Sequence, residues 1–359
     1  MFEEFEKIEK KDWIQKANQD LKGANVFDKF DWNFGGLELK PYYDPSDNQH
    51  LAYLKAFSNR EARDNDPSGE PRFWWNVQQI EVAEERLANE AALVGLQNGA
   101  DGIHFAIKNT EVNLDVLLKD IEHTYCHLSF EITQAVTYKS VFNYLVNLEG
   151  SKNIHLTTST LDENGLYDLL QSDQEGIRLI TLQTELEDQP VLEITELLTQ
   201  ANKMIRSQLL RGLTVEKVVD SMILKVGLGT DFFIEIAKIK ALRILFFQLV
   251  QAYQYEAFEP EDIHIECISS IWKNDQYGPH ENMLKSSTAA FSAILGGCDS
   301  LIVLPENNTD LAQRIARNVS SVLKDESYAS KVADPVAGTY YLEAAIDQLA
   351  KKSWELFKK

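Results

Sequence analysis

The sequence predicts an α/β fold: a (βα)8 TIM barrel with an N-terminal extended arm and an extra C-terminal helix. Two observations carry this prediction. Eight short segments rich in Ile, Leu, Val, Phe and Thr follow one another after residue 71, and a helical pattern follows each of them. These units span about 290 residues, compared with the ~250 residues typical of this fold. A doubly wound open sheet is the main competitor, but no GxGxxG follows the first strand.

Composition limits the functional classes. Lys plus Arg number 35 and Asp plus Glu number 56 among 359 residues, so the formal net charge is −21. Since a phosphate backbone attracts a basic surface, nucleic acid is not expected as a partner. The acidic N-terminus lacks the features of a signal peptide, and no stretch approaches the ~20 apolar residues of a membrane helix. These features predict a cytoplasmic protein without a membrane partner.

Residues 1–70 form the predicted N-terminal arm, and residues 71–359 form the predicted barrel. A helix is expected over residues 11–22, and glycine, proline and aromatic residues then follow at a density typical of an extended segment. The large aromatic residues of the arm are Trp13, Trp32, Tyr42 and Tyr43. Because exposed aromatic surface is costly, the arm must pack on its own barrel or on a partner, and both alternatives stay open. Residues 64–71 have the composition of a linker.

The predicted barrel elements alternate along the chain. The strands cover residues 74–80, 102–107, 127–133, 153–159, 178–183, 222–227, 263–269 and 300–304. The helices that follow them cover residues 84–96, 112–121, 138–148, 165–172, 194–210, 232–253, 282–295 and 311–323. A ninth helix, over residues 341–357, is the extra C-terminal one.

The strand pattern predicts a polar barrel interior. In the third strand, apolar residues alternate with Ser129, Glu131 and Thr133. Since the layer that faces the helices must be apolar, the polar set points inward. The predicted interior cluster, which is also the candidate substrate channel, consists of Gln78, His104, Glu131, Thr157, Gln183, Lys225 and Glu266. The pattern favours a hydrogen-bonded polar core, and a wet channel that admits a ligand is the alternative.

The charged residues of this cluster constrain each other. An interior lysine needs a nearby carboxylate, so Lys225 is expected beside Glu131 or Glu266. The two glutamates are more typical of ion-pair partners than of an acid–base pair, so no catalytic residue is assigned. Long side chains and ordered water are expected to narrow the interior and leave no open channel.

No nucleophile or metal motif is predicted. The chain contains no GxSxG, HExxH or GxxxxGK[ST]. His123 and His127 have the i, i+4 spacing of helix ligands, but no third ligand is near in sequence, and a surface turn is expected. The three cysteines form no CxxC pair, which predicts reduced, buried thiols.

The last third of the chain resembles the methylmalonyl-CoA mutase family. The segment FFIEIAKIKALR at 232–243 is similar to that family's FFxEIAKxRAxR helix. Further similar blocks are DQYGPHENMLK at 275–285, SAILGGCDSL at 292–301, RIARN at 314–318 and DPVAGTYYLE at 334–343. The arm is also similar to the family's opening, so the resemblance covers essentially the whole chain.

The resemblance implies a fold and a chemistry. The family converts methylmalonyl-CoA to succinyl-CoA, with adenosylcobalamin as the radical source. Residues 71–359 would correspond to its acyl-CoA-binding barrel, and the separate cobalamin-binding domain is expected to be absent from this chain. Asp262-Ile263-His264 begins the DxHxxG pattern that ligates cobalamin, but Cys267 stands in place of the glycine. No cofactor is therefore expected on this chain alone, and adenosylcobalamin is expected in the assembled enzyme.

The sequence departs from the pattern of the family's catalytic chains. Gln79 stands where they carry the tyrosine of TIRQYAG. The stretch at 180–185 lacks the histidine of their SGYH segment, and the stretch at 147–158 lacks the arginine of MVRNTY. The block at 275–285 looks more like the small subunit of heterodimeric mutases, a barrel homologue that pairs with the catalytic chain.

The resemblance therefore implies a small, supporting subunit that is inactive in isolation and pairs with a catalytic large subunit. Its predicted partner interface is Trp13, Trp32, Tyr42 and Tyr43. Two alternatives stay open. The chain could be an active acyl-CoA mutase barrel that uses a separate cobalamin-binding chain, or a solitary barrel that binds a metabolite. Whether an acyl-CoA enters the barrel is left open by the sequence.

Overall fold

The computed structural model describes residues 8–57, 69–150, 152–158, 163–172, 175–184, 189–272 and 281–359. Most of the predicted linker and the loop at 275–280 lie outside these residues. None of the helices in these ranges is long and apolar enough to span a lipid bilayer. The three cysteines are free and buried, as predicted.

The N-terminal arm folds into short elements. They are α1 (Lys10–Asp20), α2 (Val26–Phe30), β1 (Trp32–Phe34), β2 (Leu37–Leu39) and a 3-10 turn (Ala52–Phe57). β1 and β2 pair as an antiparallel hairpin. Gly35 and Gly36 both have positive φ, of 53° and 85°, which is the backbone that a two-residue hairpin turn requires.

The described barrel is built from eight parallel strands, and this confirms the predicted fold. The strands are β3 (Trp75–Val82), β4 (Gly102–Ile107), β5 (His127–Ile132), β6 (Ile154–Thr157), β7 (Ile177–Arg178) with β8 (Ile180–Gln183), β9 (Met222–Leu228), β10 (Ile265–Ser269) and β11 (Ser300–Ile302). The segments pair in the order β7-β6-β5-β4-β3-β11-β10-β9-β8. Each pair is parallel.

The fifth barrel strand is interrupted at Leu179. Its first half, β7, pairs with β6, and its second half, β8, pairs with β9. At the break, the amides of Leu179 and Ile180 both donate to the Ser221 carbonyl. Because β7 and β8 follow each other in the chain, they connect the β6 end of the sheet to the β9 end and nearly close the barrel.

The helices form a layer around the barrel. In the described ranges they are α3 (Glu85–Gln97), α4 (Leu114–Leu117), α5 (Ala135–Val146), α6 (Glu163–Gln171), α7 (Pro190–Leu209), α8 (Val215–Asp220), α9 (Phe232–Ala252), α10 (Glu281–Gly296), α11 (Asp310–Asp325) and α12 (Tyr340–Phe357). Each predicted helix is present. α2 and α8 were not predicted, because five and six residues are too few to show a helical period.

The extra C-terminal helix α12 explains why α9 is apolar on nearly all sides. An outer barrel helix normally has one polar face toward solvent. Here α12 packs on α9 and on α7, so α9 is enclosed between the strands and a second helical layer. Most of the α9 residues are consequently buried.

Two buried cations of α9 connect it to the barrel. Lys238 Nζ lies 2.8 Å from Glu193 Oε2 and 2.9 Å from Glu235 Oε2, and it donates to the Gly227 carbonyl. Burial alone would lower the pKa of Lys238, but the two carboxylates outweigh it and raise that pKa. Arg243 lies 2.8 Å from Asp299 Oδ2 and also donates to the backbone carbonyls of Pro260 and Ile263, which precede β10. The block at 232–243, which resembles the family's helix, therefore stabilises the barrel.

The second half of the arm packs on its own barrel. Leu37 and Leu39 of β2 are 0% and 1% exposed and belong to the main core. The Gln348 side chain of α12 exchanges two hydrogen bonds with the backbone of Glu38. The Tyr53 hydroxyl donates to Asp347 of the same helix at 2.8 Å. This part of the arm therefore contacts the barrel and α12 of its own chain.

The four aromatic residues of the predicted interface are half-buried. Trp13 stacks on Tyr42 with ring centroids 4.6 Å apart, and Trp32 stacks on Phe34 at 5.2 Å. Tyr43 meets the ring of Tyr341 edge-on at 5.8 Å. Each ring therefore keeps exposed surface while it contacts another ring of this chain.

The packing of the arm generates a first prediction. Leu37→Ala is expected to lower the free energy of unfolding by about 2 to 5 kcal/mol, because it leaves a cavity between the hairpin and the barrel. Ile8→Ala is the matched control, since Ile8 lies in the same arm and is 76% exposed. Urea unfolding followed by circular dichroism measures both variants. Equal stabilities of the two would show that the hairpin is not docked in solution.

Candidate functional site: the barrel interior

The hydrogen-bond register decides which side chains enter the barrel. Gln79 pairs with His104, His104 with Ser129, and Ser129 with His155. Residues paired across parallel strands point to the same face of the sheet. Because His104, Ser129 and His155 contact the barrel interior, Gln79 belongs to the inward row with them.

The prediction that Gln78 points inward was wrong. Gln78 pairs with Ile103, in the row that faces the helices. Its Oε1 accepts a hydrogen bond from Arg317 of α11 at 3.0 Å, and a Cβ placed at Gly95 of α3 would lie 2.7 Å from that oxygen. Two adjacent glutamines made the alternation of this strand ambiguous, and Gln79 takes the inward place.

Three histidines fill the lower half of the interior, near the amino ends of the strands. His127, His155 and His264 are 0%, 1% and 5% exposed. The ring centroids of His127 and His155 are 4.2 Å apart, and those of His155 and His264 are 4.3 Å apart. Trp75 lies beside this group, with its ring centroid 6.0 Å from that of His127.

The expectation of a surface turn at His127 was therefore wrong. Of this pair, His123 is the one near the surface, where its Nε2 bonds the Glu149 carbonyl at 2.8 Å. The signal that could have found the interior histidines is the strand alternation. His127 precedes Ser129 by two residues, and His155 precedes Thr157 by two, so each shares the inward face.

Burial disfavours the protonated form of the three histidines. It lowers the pKa of His127 and of His264 well below the usual range, and the neighbouring His155 lowers both further. Burial also lowers the pKa of His155, although the approach of Glu266 opposes that shift. In a neutral imidazole, one nitrogen donates a hydrogen bond and the other carries a free lone pair that can accept one.

The interior carboxylates are held by basic groups. Lys225 Nζ lies 3.6 Å from Glu266 Oε1, which confirms the expected pairing. Burial would raise the pKa of Glu266, but the approach of His155 and the charge of Lys225 bring that pKa below its usual range. Glu131 Oε2 lies 3.4 Å from His104 Nε2, and this contact lowers the pKa of Glu131. Two carboxylates so engaged do not form an acid–base pair.

The predicted interior residues divide into two layers. Lys225, Glu266 and His104 are buried, whereas Glu131 and Gln183 are exposed near the carboxyl ends of the strands. Thr157 lies between them and shares a 2.6 Å hydrogen bond with Thr181. The interior is thus open to solvent at one end and lined by buried side chains at the other.

A depression of about 410 Å³ lies at the open end. Its lining includes Gln183, Lys225, Ile268, Ser269 and Leu304. The carboxyl ends of the strands are where TIM-barrel enzymes hold their active sites. The depression can accept hydrogen bonds and carries one cation, Lys225, at its floor.

The interior histidines do not fit a cobalamin ligand. His264, the histidine of the partial DxHxxG pattern, is buried among the barrel rings, and its Nε2 is hydrogen-bonded to Ser300 Oγ at 3.0 Å. A cobalamin would need open access to this nitrogen, which the buried and hydrogen-bonded ring does not offer. No step of cobalamin chemistry is therefore assigned to the described residues.

Fold and site define a (βα)8-barrel protein with a polar interior. The sequence profile of the family described as Methylmalonyl-CoA mutase matches residues 188–359. The methylmalonyl-CoA mutase small subunit of Porphyromonas gingivalis is 30% identical, over 99% of this chain and 63% of its own length. These comparisons show that the chain is similar to methylmalonyl-CoA mutases.

Two further relatives show the same similarity. The small subunit of Streptomyces virginiae is 24% identical over 96% of this chain and 61% of its own length. The methylmalonyl-CoA mutase of Rhizobium meliloti is 32% identical over 47% of this chain and 24% of its own length. The chain thus spans less than two thirds of the length of these relatives.

The ion pair at the floor of the depression generates a second prediction. Lys225→Met is expected to lower the free energy of unfolding by about 3 to 5 kcal/mol, because it leaves Glu266 buried without its cation. The double variant Lys225→Met/Glu266→Gln is expected to regain part of this loss, since the remaining group is neutral. Thermal or urea unfolding measures both.

The matched control is Lys108→Met. Lys108 pairs with Glu81 at 3.3 Å, but both side chains are more than 60% exposed. Such a surface pair contributes about 1 kcal/mol or less. If Lys225→Met costs no more than Lys108→Met, the interior pair is solvated and the buried layer described above is incorrect.

Proposed function

We propose that this chain is the small, supporting subunit of an adenosylcobalamin-dependent methylmalonyl-CoA mutase. In this proposal the chain docks a catalytic large subunit and does not itself turn over substrate. Residues 1–70 serve as the arm, and residues 71–359 serve as the barrel. Adenosylcobalamin would be held by the partner, where it supplies the radical chemistry of the assembled enzyme.

One observation carries the proposal. Gln79, which matches the tyrosine of the catalytic chains, occupies the inward row of the barrel. A glutamine side chain has no phenolic hydroxyl, and its amide neither gains nor loses a proton near neutral pH. The position that would face a substrate is thus filled by a group that cannot replace the tyrosine chemically.

The contents of the interior agree with a supporting role. The rings of His127, His155 and His264 occupy the lower half of the barrel axis. A catalytic barrel of this family encloses the acyl-CoA in its interior, and space filled by packed rings is unavailable to a ligand. The depression at the open end is the space in which a ligand could still bind if the chain were an active mutase barrel.

Activity of the isolated chain provides the third prediction. The purified chain, supplied with adenosylcobalamin and methylmalonyl-CoA, is expected to form no succinyl-CoA above the background without protein. Addition of a catalytic mutase chain that carries TIRQY and DxHxxG is expected to give turnover and a stable complex on size-exclusion chromatography. Liquid chromatography with mass detection measures the product.

The two alternatives predict different results. Turnover by this chain together with a separate cobalamin-binding chain would overturn the proposal in favour of an active mutase barrel. Saturable binding of coenzyme A without any association with a catalytic chain would favour a solitary metabolite-binding barrel. Isothermal titration calorimetry with coenzyme A distinguishes this last case.

The arm provides the fourth prediction. In the proposal, the exposed faces of Trp13, Trp32, Tyr42 and Tyr43 contact the partner. Trp13→Ala is expected to weaken the complex by about 30-fold, since a central aromatic residue contributes ~2 kcal/mol or more to an interface. The melting temperature of the isolated chain is expected to change little, because the ring is half-exposed.

Tyr125→Ala is the control for the arm variant. Tyr125 is 83% exposed and lies on the barrel, outside the arm. Its removal is expected to leave the affinity for the catalytic chain unchanged. An unchanged affinity of Trp13→Ala, or an equal loss in both variants, would exclude the Trp13 face as the interface.

A further inference from the structure

A group of three buried residues in the barrel interior has the composition of a metal site. His127, His155 and Glu266 come from β5, β6 and β10, and each offers one ligand atom. These three atoms all lie within 4.8 Å of one another. The three side chains are at most about 4% exposed. We propose that this group, the His2Glu cluster, binds a divalent transition-metal ion of the Zn²⁺ class.

Unsatisfied polar atoms point to a missing ligand. Within the described part of the chain, Glu266 Oε2 and both ring nitrogens of His155 have no hydrogen-bond partner. The ring nitrogens of His127 also lack a partner of good geometry, although the Asn153 side chain approaches this ring. Buried polar atoms are nearly always paired in folded proteins. A set of unpaired atoms that face one another therefore indicates something bound between them.

The separations suit an ion better than a hydrogen bond. His155 Nδ1 lies 3.8 Å from Glu266 Oε2, too far for a hydrogen bond. Zinc bonds to imidazole and carboxylate measure about 2.0 to 2.2 Å, so ligand atoms around a tetrahedral ion lie roughly 3.4 Å apart. The three ligand atoms, all within 4.8 Å of one another, would move closer together to reach this spacing around an ion.

The chemistry of the donors agrees with this choice. Two imidazoles and one carboxylate form the donor set that zinc uses in His2Glu sites. Buried neutral imidazoles present a lone pair to a metal directly. Oxygen-only cations such as Mg²⁺ prefer carboxylate, carbonyl and water ligands, and are not expected here.

Lys225 completes the surroundings of the His2Glu cluster. It engages Glu266 through Oε1 and so leaves Oε2 directed at the histidines, as an outer partner of a metal ligand does. Lys225 also lines the depression at the open end and so lies between that depression and Glu266. His264 lies next to His155, but its Nε2 is bonded to Ser300, so it is not counted as a ligand.

The inference is independent of the proposed supporting role. A metal bound here would link the adjacent strands β5 and β6 to β10, which lies several strands away in the sheet order. The competing account is a polar core of neutral histidines without a metal. The two accounts differ in what the purified protein binds and in how its stability responds to zinc.

The test uses the full chain without an affinity tag, stripped with a chelator and dialysed. Titration with Co²⁺ is expected to saturate at one equivalent and to give the visible absorption bands of a low-coordinate ion. Zinc at ~100 times its dissociation constant is expected to raise the melting temperature by about 3 to 6 °C. Magnesium at the same concentration is expected to have no effect.

Variants locate the site. His155→Gln and Glu266→Gln are each expected to abolish the Co²⁺ bands and the zinc-dependent shift in melting temperature. His123→Gln, which changes a histidine near the surface, is expected to retain both. His264→Gln tests a buried histidine outside the cluster and is also expected to retain one equivalent.

Clear outcomes would overturn the proposal. These are failure of the unmodified chain to bind Co²⁺ or Zn²⁺, retention of one equivalent by His155→Gln, or loss of binding in His123→Gln. If both cluster variants fail to fold, X-ray absorption at the zinc edge of the unmodified chain decides instead. Two imidazoles and one carboxylate oxygen around the zinc are expected, and a shell without imidazole would overturn the proposal.

Discussion

A closed ring of parallel strands must turn one side of every strand toward its axis, and the rest of this structure depends on that constraint. The outer side meets the helices and is apolar, so the polar residues of each strand are enclosed together. Once enclosed, charges must be paired and rings must pack. The Lys225–Glu266 pair at 3.6 Å and the three adjoining histidine rings are the results of this requirement.

The same constraint explains why resemblance to a catalytic family need not carry its activity. Much of the matching sequence builds the scaffold. Arg243 joins α9 to the loops around β10, and Lys238 joins α9 to α7 and β9. Gly296 packs so closely on α9 that an added Cβ would lie 2.9 Å from Ile239 Cβ. Such residues maintain the barrel whether or not its interior holds a substrate.

The arm and the last helix form a second layer that depends on the first. α12 covers the outer side of α9, and the hairpin with its following turn covers α12 through Leu37, Leu39 and Tyr53. The two ends of the chain are therefore joined on one side of the barrel. The aromatic rings of the arm lie at the margin of this layer, half-buried, where a partner surface could continue the packing.

Local patterns determined the secondary structure and the architecture of this protein. Period-two strands and apolar helix faces are encoded within short windows, so the eight barrel strands and their helices were predictable, with boundaries a few residues from those observed. The polar character of the interior was predictable for the same reason, as Glu131 and Lys225 show. The resemblance of blocks such as that at 232–243 to the family was also recognisable from the sequence alone.

Tertiary structure alone decided which interior residues meet. Polarity could not choose between Gln78 and Gln79, because both are polar and only the register with His104 separates them. His155 and Glu266 are more than 100 residues apart in sequence, yet barrel closure brings their side chains to 3.8 Å. Whether the arm would dock on its own barrel also depended on the position of α12. Long-range register and closure are properties of the whole sheet, and no short window of sequence contains them.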